Sequence, residues 1–469
     1  MKRAFASRIG IVVLVIVVAT AAGLLTMGLS LSPGKSVSVS AAPLQNVTYS
    51  SSFQIQNLDS SGPAQIRIEF YDTAGTLVGR IPTDPNATVT IAAGSSQDWQ
   101  ADALPVTSGF AGSAVVISDK PIAAISNEQT SGPWVMRGAH DGVINTGTTM
   151  FIPSAMKNNS SYNSTLFIQN AGTADSTNTV LEYRDTSGAL VRTDPAVSIK
   201  AGASYHLPLS SHTLLGGSAT ARFVGSVRVT SDQPLAVAAN HTNDVLLYST
   251  SGFASGAQRI FAPLMMNNNA GWNTDIMVMN VGTAAANVRF LKNGTTDLGV
   301  QWTLAPYQAS YMEAPIAGMD RVGSLVVQGQ SASDRLVGIV NERHTSGNAM
   351  SYKMFTGGTS KVFAPLIMNN NRGWYTSFQV QNVGTVDTWV KLMRNGTTQV
   401  DRQFVPAGSS TTWIYPLIGT TSGWFGAFSA EAETTTAQLA GIVNEQWLDA
   451  NLNSYSTGDY SMVYEGTNQ

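Results

Sequence analysis

One long phrase occurs twice in this sequence, and its recurrence limits the possible folds more than any other feature. FAPLMMNNNAGWNTDIMVMNVGT at residues 261–283 returns as FAPLIMNNNRGWYTSFQVQNVGT at residues 363–385. Self-similarity at a fixed period is typical of chains built from repeated structural units. The first question is therefore how many units the chain contains.

Two landmarks recur four times in the same order. The first landmark, FQIQN in its first copy, ends at Asn57, Asn170, Asn280 and Asn382. The second landmark, GSAVVISDKPIAAISNE in its first copy, carries Asn127, Asn240, Asn341 and Asn444 near its end. Two landmarks in one register indicate a true repeat.

The landmarks divide the chain into a leader and four repeats. The predicted boundaries are residues 1–41 for the leader and residues 42–149, 150–258, 259–360 and 361–469 for repeats 1 to 4. The joins between repeats are short, so they leave the domains little freedom to separate. We therefore expect a semi-rigid, elongated string of four domains.

The residues between the landmarks alternate between apolar and polar. Ile276 and Val278 fall on one face of a predicted strand in repeat 3, while Gln379 and Gln381 fall on the outward face of its counterpart in repeat 4. A period of two predicts β-strands.

Two dipeptides predict tight hairpins. Asn293-Gly294 and Asn395-Gly396 can both supply the two positive φ angles that a type I′ turn requires. Several short strands in each unit of roughly 100 residues are typical of a β-sandwich. The predicted fold class is all-β, with four tandem Ig-like β-sandwich domains after an N-terminal apolar helix.

The leader has the composition of an export segment. A basic start, MKRAFASR, precedes an apolar run at residues 9–29. As a helix at about 1.5 Å per residue this run is long enough to span a bilayer, which fits an N-terminal membrane anchor. Small residues before Ala42 also fit a signal peptide that is cleaved there. Both interpretations predict an extracellular or cell-surface location.

Composition excludes several classes of function. The formal net charge is −3 and only 12% of residues are charged, so no basic surface for nucleic acid is expected. The chain has no cysteine, which excludes disulfides and thiolate chemistry. Its five histidines show no metal-ligand spacing, and no catalytic motif is present, so we expect no enzyme.

The loop that opens repeats 3 and 4 contains the candidate ligand-binding residues. Trp272 and Trp374 lie on Asn-rich loops beside Asn268 and Asn370. A flat aromatic ring on such a loop can stack on a sugar or anchor a neighbouring protein. The alternative is that each ring covers the open end of its own sandwich, where burial would stabilise the core.

The second landmark also suggests a metal site. Its acidic residues would place carboxylates at one end of each sandwich, where they could hold Ca²⁺ between domains. The candidate ligands are Glu128, Glu342, Glu445, Asp119 and Asp334. His241 stands in place of the acid in repeat 2, and no EF-hand loop accompanies these residues.

The string VMNVGTAAANVRFLKNGTTDLG resembles the bacterial cell-adhesion-related sandwich domains of the CARDB type. In those domains an Asn-x-Gly-Thr turn ends one strand and an Asn-Gly hairpin follows. The opening and closing landmarks look like tandem repeats of exported bacterial proteins. The resemblance implies a surface or secreted role and carries no catalytic residues across.

Together these features predict a non-catalytic extracellular structural or adhesive protein, such as a self-assembling stalk, sheath or filament subunit. The alternative is a carbohydrate-binding surface protein that uses the two Trp loops. The expected partners are further copies, other surface proteins or an extracellular polysaccharide, with membrane contact only through the leader. Neither nucleic acid nor a cofactor is expected, apart from the calcium considered above.

Overall fold

The computed structural model describes residues 10–17, 48–131, 135–213, 215–218, 220–243, 245–449, 451–452 and 459–468. This part of the chain contains β-strands, three short 3₁₀ helices and no α-helix. Among the same residues, no helix is both long and apolar enough to cross a membrane. The prediction of an all-β chain is confirmed.

The strands are numbered in chain order and grouped here by the predicted repeats, except that β1, which lies in the predicted leader, is placed with repeat 1 because it pairs with β7. Repeat 1 has β1 (Gly10–Val17), β2 (Thr48–Asn57), β3 (Ala64–Asp72), β4 (Leu77–Ile81), β5 (Val89–Ile91), β6 (Ser96–Trp99), β7 (Ala111–Ser118), β8 (Ile122–Ser131) and β9 (Arg137–Asp141). Repeat 2 has β10 (Gly147–Lys157), β11 (Asn163–Asn170), β12 (Ser176–Asp185), β13 (Leu190–Thr193), β14 (Val197–Ile199), β15 (Ser204–Pro208), β16 (Phe223–Thr242) and β17 (Leu247–Ser251).

Repeats 3 and 4 follow the same plan. Repeat 3 has β18 (Arg259–Met266), β19 (Trp272–Asn280), β20 (Ala286–Lys292), β21 (Thr296–Leu304), β22 (Ala309–Met312), β23 (Val322–Gly329), β24 (Leu336–His344) and β25 (Ala349–Lys353). Repeat 4 has β26 (Lys361–Asn371), β27 (Trp374–Asn382), β28 (Thr388–Arg394), β29 (Thr398–Val405), β30 (Ser410–Trp413), β31 (Trp424–Ala432), β32 (Leu439–Trp447), β33 (Ser461–Glu465) and β34 (Thr467–Asn468). The 3₁₀ helices are Ala101–Ala103, Leu209–Ser211 and Leu215–Gly217.

Each repeat is a sandwich of two antiparallel sheets, most clearly in repeat 3. One sheet has the strand order β18, β23, β20, β21, and the other has the order β22, β19, β24, β25. In repeat 2 the long strand β16 passes from one sheet to the other. In repeat 4 the two sheets are joined because β26 pairs with both β31 and β27. Tandem β-sandwiches are therefore present as predicted.

The third and fourth strands of repeat 3, β20 and β21, pair side by side. Constant-type immunoglobulin domains place these two strands in different sheets, whereas variable-type domains add the fourth strand to the sheet of the third, so the Ig-like type stays a prediction. A tight hairpin turn joins β20 and β21. Asn293 and Gly294 have φ angles of 48° and 75°, and Asn395 and Gly396 have φ angles of 50° and 69°. These are the two positive φ angles that the Asn-Gly turns were predicted to supply.

The leader does not show the expected apolar helix. Gly10–Val17 forms strand β1, which pairs antiparallel with β7 of repeat 1. Its position beside β7 matches that of β18 beside β23 in repeat 3. A run rich in Val and Ile favours a strand wherever a sheet edge can receive it. The rest of the predicted leader, including the cleavage point before Ala42, lies outside the described residues.

The core of each repeat lies between its two sheets. Ile276 and Val278 are fully buried there, as their alternation predicted. Gln379 and Gln381, which were expected to face outward to solvent, are buried too. They lie on the opposite face of the strand, and that face is covered by protein. What covers it is another repeat.

The four repeats close into a ring rather than extending as a string. The last inner strand of each repeat, β9, β17, β25 or β33, lies at the centre of the ring. Strand β9 packs against both β17 and β33, and β25 packs against the same two strands. Repeat 4 is thereby in contact with repeat 1, which an elongated chain of domains does not allow. The expectation of a semi-rigid string is wrong.

Turns on the outside of the ring repeat the same contact from one repeat to the next. A methyl group added at Gly294 of repeat 3 would come 2.5 Å from Cα of Gly408 in repeat 4. At Gly396 of repeat 4 it would come 3.2 Å from Cα of Gly94 in repeat 1. Such close backbone approach requires glycine. The Asn-Gly hairpins therefore shape the sandwich and also fit it to its neighbour.

Candidate functional site at the junctions between repeats

The second landmark supplies a bond between repeats at three of the four junctions. In each case the side-chain amide of one repeat donates to a buried carboxyl group of the preceding repeat. The bonds are Asn240 Nδ2 to Glu128 Oε2 (2.5 Å) at junction 1/2, Asn444 Nδ2 to Glu342 Oε2 (2.8 Å) at junction 3/4, and Asn127 Nδ2 to Glu445 Oε2 (3.1 Å) at junction 4/1. The Asn-Glu motif is thus part of the ring's construction.

Two further polar contacts follow the ring. The serine of the Gly-Ser pair in the second landmark donates to a turn carbonyl of the next repeat, as Ser324 does to Gly408 at 2.8 Å. A glutamine of the first landmark donates in the opposite direction, as Gln379 does to the carbonyl of Pro263 at 2.9 Å. The proline lies where β18 skips register against β23, so its carbonyl is free of the ladder.

Burial shifts the titration of the landmark carboxyls. Desolvation raises the pKa of Glu342 to about 8, and the hydrogen bond from Asn444 offsets only part of that rise. Glu445 behaves in the same way, with Asn127 as its donor and a pKa of about 8. A carboxyl group whose pKa lies near 8 is largely protonated at neutral pH. These junction contacts should therefore weaken as the pH rises above about 8, because the buried carboxyl groups then become charged.

One end of the central strands carries a cluster with one residue from each repeat. Asp141, Ser251, Lys353 and Glu465 hold equivalent places on β9, β17, β25 and β33. Lys353 Nζ lies 2.9 Å from Asp141 Oδ2, and Ser251 donates to the other oxygen of Asp141. The backbone N–H of Lys353 donates to Glu465, whose pKa burial raises to about 8. Asp141, Lys353 and Glu465 line a cavity of about 350 Å³ at this end of the ring.

The other end of the central strands is closed by Asp459. Its two carboxyl oxygens accept the backbone N–H groups of Leu247 and Ala349, at 3.2 Å and 3.0 Å. Burial raises its pKa well above the ordinary range. Asp459 therefore ties the first residues of β17 and β25 to repeat 4.

Junction 2/3 breaks the pattern. His241 stands where the other repeats have glutamate, and Nδ1 of its ring lies 2.6 Å from Ser164 Oγ of its own repeat. Asn341 therefore has no glutamate to bind, and it donates instead to Asp275 of its own strand pair at 2.8 Å. Arg343 NH2 lies 2.6 Å from the other oxygen of Asp275. The amide and carboxyl groups that elsewhere join two repeats are here satisfied within one repeat.

Asp275 is itself specific to repeat 3. It lies opposite Asn341 in the ladder, and the residues in the same relation to the landmark Asn of the other repeats are Ser52, Thr165 and Ser377. The Asp275 side chain is 1% exposed, and desolvation raises its pKa even though Arg343 and Asn341 counteract that shift.

Clefts lie at two junctions on opposite sides of the ring, and their lining residues are equivalent. The cleft at junction 4/1 has a volume of about 330 Å³ and is lined by Ser52, Asn127, Trp374 and Glu445, among others. The cleft at junction 2/3 has a volume of about 730 Å³. It is lined at the matching places by Asp275, Asn341, Tyr162 and His241. The larger cleft is the one that lacks the Asn-Glu bond.

The structure separates the two predicted tryptophan sites. Trp272 is 8% exposed and belongs to the core of repeat 3, with its ring 5.0 Å from that of His344. It has no open face for stacking. Trp374 is half-buried beside the smaller cleft, and the guanidinium of Arg137 lies 5.2 Å from its ring centroid. Only Trp374 borders a cleft.

The accompanying asparagines shape the backbone. Asn268 and Asn370 are exposed, and each has a φ of 52°, in the left-handed region that Asn tolerates better than most residues. Asn370 Nδ2 also donates to Ser422 at 2.8 Å. The recurrence of these residues therefore has a conformational explanation, and their role in ligand binding stays a prediction.

The five predicted calcium ligands are not brought together. The three glutamates accept the inter-repeat amide bonds described above, while Asp119 accepts the backbone N–H of Gln65 and Asp334 that of Ser331. In the part of the chain that the structure describes, no three His, Cys, Asp or Glu side chains are placed to hold a metal ion together. Calcium binding stays a prediction that these contacts do not favour.

Sequence reasoning missed the junctions because it treated each repeat alone. One sequence signal could have found them: polar residues recur on the strand face that points away from the core of its own repeat. A polar face that recurs in this way can be buried against a neighbouring repeat. The sequence did show His241 in place of the acid, and this substitution marks the exceptional junction.

Comparison with protein-family models gives no match, and comparison with curated proteins gives none. Among solved structures, the chain aligns with one described as "Crystal structure of tetra-tandem repeat in extending region of large adhesion protein". The alignment covers 88% of this chain and 93% of that chain, with 10% identity and a TM-score of 0.11. At that TM-score the likeness carries no argument, and the CARDB-type resemblance stays a prediction.

Proposed function

We propose that this chain is a non-catalytic structural or adhesive protein of the cell exterior. The observation that supports this function is the use of the recurrent residues. The landmark Asn, Glu and Ser residues and the glycines of the Asn-Gly turns make contacts between repeats, so their recurrence is explained by the building of the ring. Recurrent residues that serve contacts between repeats indicate a structural scaffold. Binding or assembly by such a scaffold then depends on the residues at its surface.

More than half of the large exposed apolar side chains lie on repeat 4. Those on repeat 4 are Val386, Trp389, Phe404, Ile414, Ile418, Phe425 and Leu452. Trp389 and Phe404 are adjacent, with ring centroids 5.5 Å apart. Exposed aromatic pairs of this kind favour contact with another protein. Self-association through repeat 4 would make the ring a subunit of a sheath or filament, whereas a stalk of four stacked domains is incompatible with ring closure.

Analytical ultracentrifugation and negative-stain imaging of the full chain test this function. We expect concentration-dependent assembly, reduced by Trp389→Thr together with Phe404→Thr. Val322→Thr is the matched control, because Val322 is a similarly exposed apolar residue on repeat 3. A chain that stays monomeric at all concentrations and is absent from the cell-surface fraction would contradict the proposal.

The exterior location rests on the basic start and apolar run of the leader. Fractionation of cells, followed by N-terminal sequencing of the protein from the surface fraction, tests it. A new N-terminus near Ala42 would support cleavage of a signal peptide, which removes β1 from the sheet of repeat 1. An intact leader in the membrane fraction would support an anchor, in which β1 no longer pairs with β7. Recovery in the cytoplasm would contradict both.

The carbohydrate-binding alternative through the Trp loops has less support. The burial of Trp272 removes one of its two platforms, and Trp374 is covered on one side by Arg137. A binding function is better sought where the ring departs from its own pattern.

A further inference from the structure

The cleft at junction 2/3 has a polar floor. His241 and Asp275 lie there, 2% and 1% exposed, and both line the cavity. His241 Nδ1 is engaged by Ser164, but Nε2 has no hydrogen-bond partner among the described residues. A buried ring nitrogen without a partner costs free energy unless a bound molecule supplies one.

The walls of the cleft are aromatic. Tyr162 and Tyr248 lie with ring centroids 5.7 Å apart, and Tyr248 is nearly buried. Tyr311 stands on the opposite repeat, is 39% exposed and lines the cleft, and its side chain is hydrogen-bonded to Asp275. At junction 4/1 the residues matching Tyr162, Tyr248 and Tyr311 are Trp374, Met462 and Asp98, so only one of these three places is aromatic there.

The charges around the cleft nearly cancel. The charged residues of its lining are Asp185, Asp275, Glu313, Arg222 and Arg343. Asp275 and Arg343 already neutralise each other at 2.6 Å. Burial lowers the pKa of His241 to about 4, so its ring is neutral at physiological pH. The lining therefore selects for neither a strong anion nor a strong cation.

We propose that this cleft is a binding site for a neutral saccharide. Planar polar groups, here the His241 ring and the Asn341 amide, which can donate and accept, and the Arg343 guanidinium, which only donates, match the neighbouring hydroxyl groups of a sugar ring. Aromatic rings contact the apolar faces of the sugar. The volume of about 730 Å³ lies in the range of small-molecule sites. His241 Nε2 is the group that a sugar hydroxyl would satisfy.

The loss of the inter-repeat bond is what creates the site. At the other junctions an amide and a carboxyl group from neighbouring repeats occupy the floor. At junction 2/3 the amide turns toward Asp275, so the floor is left open with polar groups directed into it. The proposal concerns this junction alone and does not depend on the structural or adhesive function.

Isothermal titration calorimetry on the full chain tests the proposal. The probes are glucose, galactose, mannose and N-acetylglucosamine, with their β-linked disaccharides, at up to millimolar concentrations. We expect at least one probe to bind with one site per chain. Tyr311→Thr and Asp275→Ser should each weaken that binding by about tenfold or more, and both introduce residues that repeat 4 carries at the matching positions, Thr412 and Ser377.

Gln129→Ala is the matched control, because Gln129 holds at junction 4/1 the place of Arg343 at junction 2/3. It should leave the affinity unchanged. The proposal is overturned if no probe binds, if binding survives both cleft variants, or if the control weakens it equally. Tyr311 is 39% exposed but hydrogen-bonds the buried Asp275, so thermal unfolding of each variant verifies that it is folded before its binding is compared.

Discussion

Junction 4/1 and junction 2/3 occupy opposite places in the same ring, and they differ by a few side chains. At junction 4/1, Asn127 reaches across to Glu445 and the cleft beside them has a volume of about 330 Å³. At junction 2/3 the corresponding residues are Asn341 and His241, which make no such bond, and the cleft is more than twice as large.

The difference shows how a duplicated joint becomes available for another use. Ring closure depends on several contacts at every junction, including the serine and glycine contacts outside the cleft. One joint can therefore lose its amide bond while the ring stays closed. The replaced carboxyl group leaves both space and unsatisfied polar atoms, which are the ingredients of a binding site.

The largest expected effect comes from removing the amide at the intact junction. Asn127→Ala leaves the buried carboxyl of Glu445 without its donor and should destabilise the protein by about 2 kcal/mol. Asn341→Ala should cost only about 1 kcal/mol, because Asp275 keeps Arg343 as a partner. Chemical denaturation of both variants measures the difference. Equal losses would contradict the distinction between the two junctions.

The next effect is a dependence of stability on pH. Glu342, Glu445 and Glu465 have folded pKa values of about 8 against 4.5 for the free group. The folded state thus holds more protons than the unfolded state between these values, and stability falls as pH rises. Between pH 6.5 and 8.5 each of these groups should lose about 2 kcal/mol of stabilisation, which lowers Tm by roughly 2 °C per group in a chain of this length.

Glu445→Gln provides the control for that dependence. The amide cannot titrate, so the fall in Tm above pH 6.5 should be smaller in this variant and its stability at pH 8.5 higher. His206 and His241, whose pKa values burial lowers to about 4 from 6.5, oppose the trend only below pH 6.5. A variant with the same pH profile as the wild type would show that Glu445 is not responsible.

A smaller effect is expected from copying junction 4/1 onto junction 2/3. The double variant His241→Glu with Asp275→Ser gives junction 2/3 the residue types that Glu445 and Ser52 supply at junction 4/1. Asn341 should then donate its hydrogen bond to the new carboxyl group. One added hydrogen bond should stabilise the protein by about 1 kcal/mol at pH 6.5, and Tm should fall more steeply at higher pH. A pH profile that is no steeper would show that Asn341 does not make the bond.

The smallest expected effect is that of Tyr311→Thr on stability. The ring is exposed, so its loss opens no core cavity, and Asp275 loses one hydrogen bond but keeps Arg343 and Asn341. The free energy of unfolding should therefore fall by at most about 1 kcal/mol. Thermal unfolding measures this. A larger loss would mean that Tyr311 supports the junction itself rather than forming one wall of its cleft.

Much of the architecture within each repeat could be predicted from the sequence. Local signals were sufficient for the repeat number, the sandwich and the Asn-Gly turns, because these depend on neighbours in the chain. The burial of Gln379 could not be predicted in this way, since its partner is the carbonyl of Pro263, 116 residues away. Alternation shows that a strand has two different faces, but it does not show whether the polar face meets water or another domain.

The candidate site was harder still to predict. His241 was visible as an exception in the sequence, yet its meaning depends on Asn341, which lies in the next repeat. The tryptophans looked more informative because aromatic residues on loops are common in binding sites. The packing of Trp272 into its own core shows that a conspicuous residue can be explained by burial alone.

The position of β33 at the centre of the ring fixes the number of repeats. In an open solenoid, units can be gained or lost at an end, because each unit contacts only its neighbours along the chain. Here β33 packs against β9, so the last repeat completes the surroundings of the first. Gene duplication could therefore add a fifth unit only by rebuilding every central contact. Such a ring can change the side chains at its junctions, whereas its number of repeats stays constant.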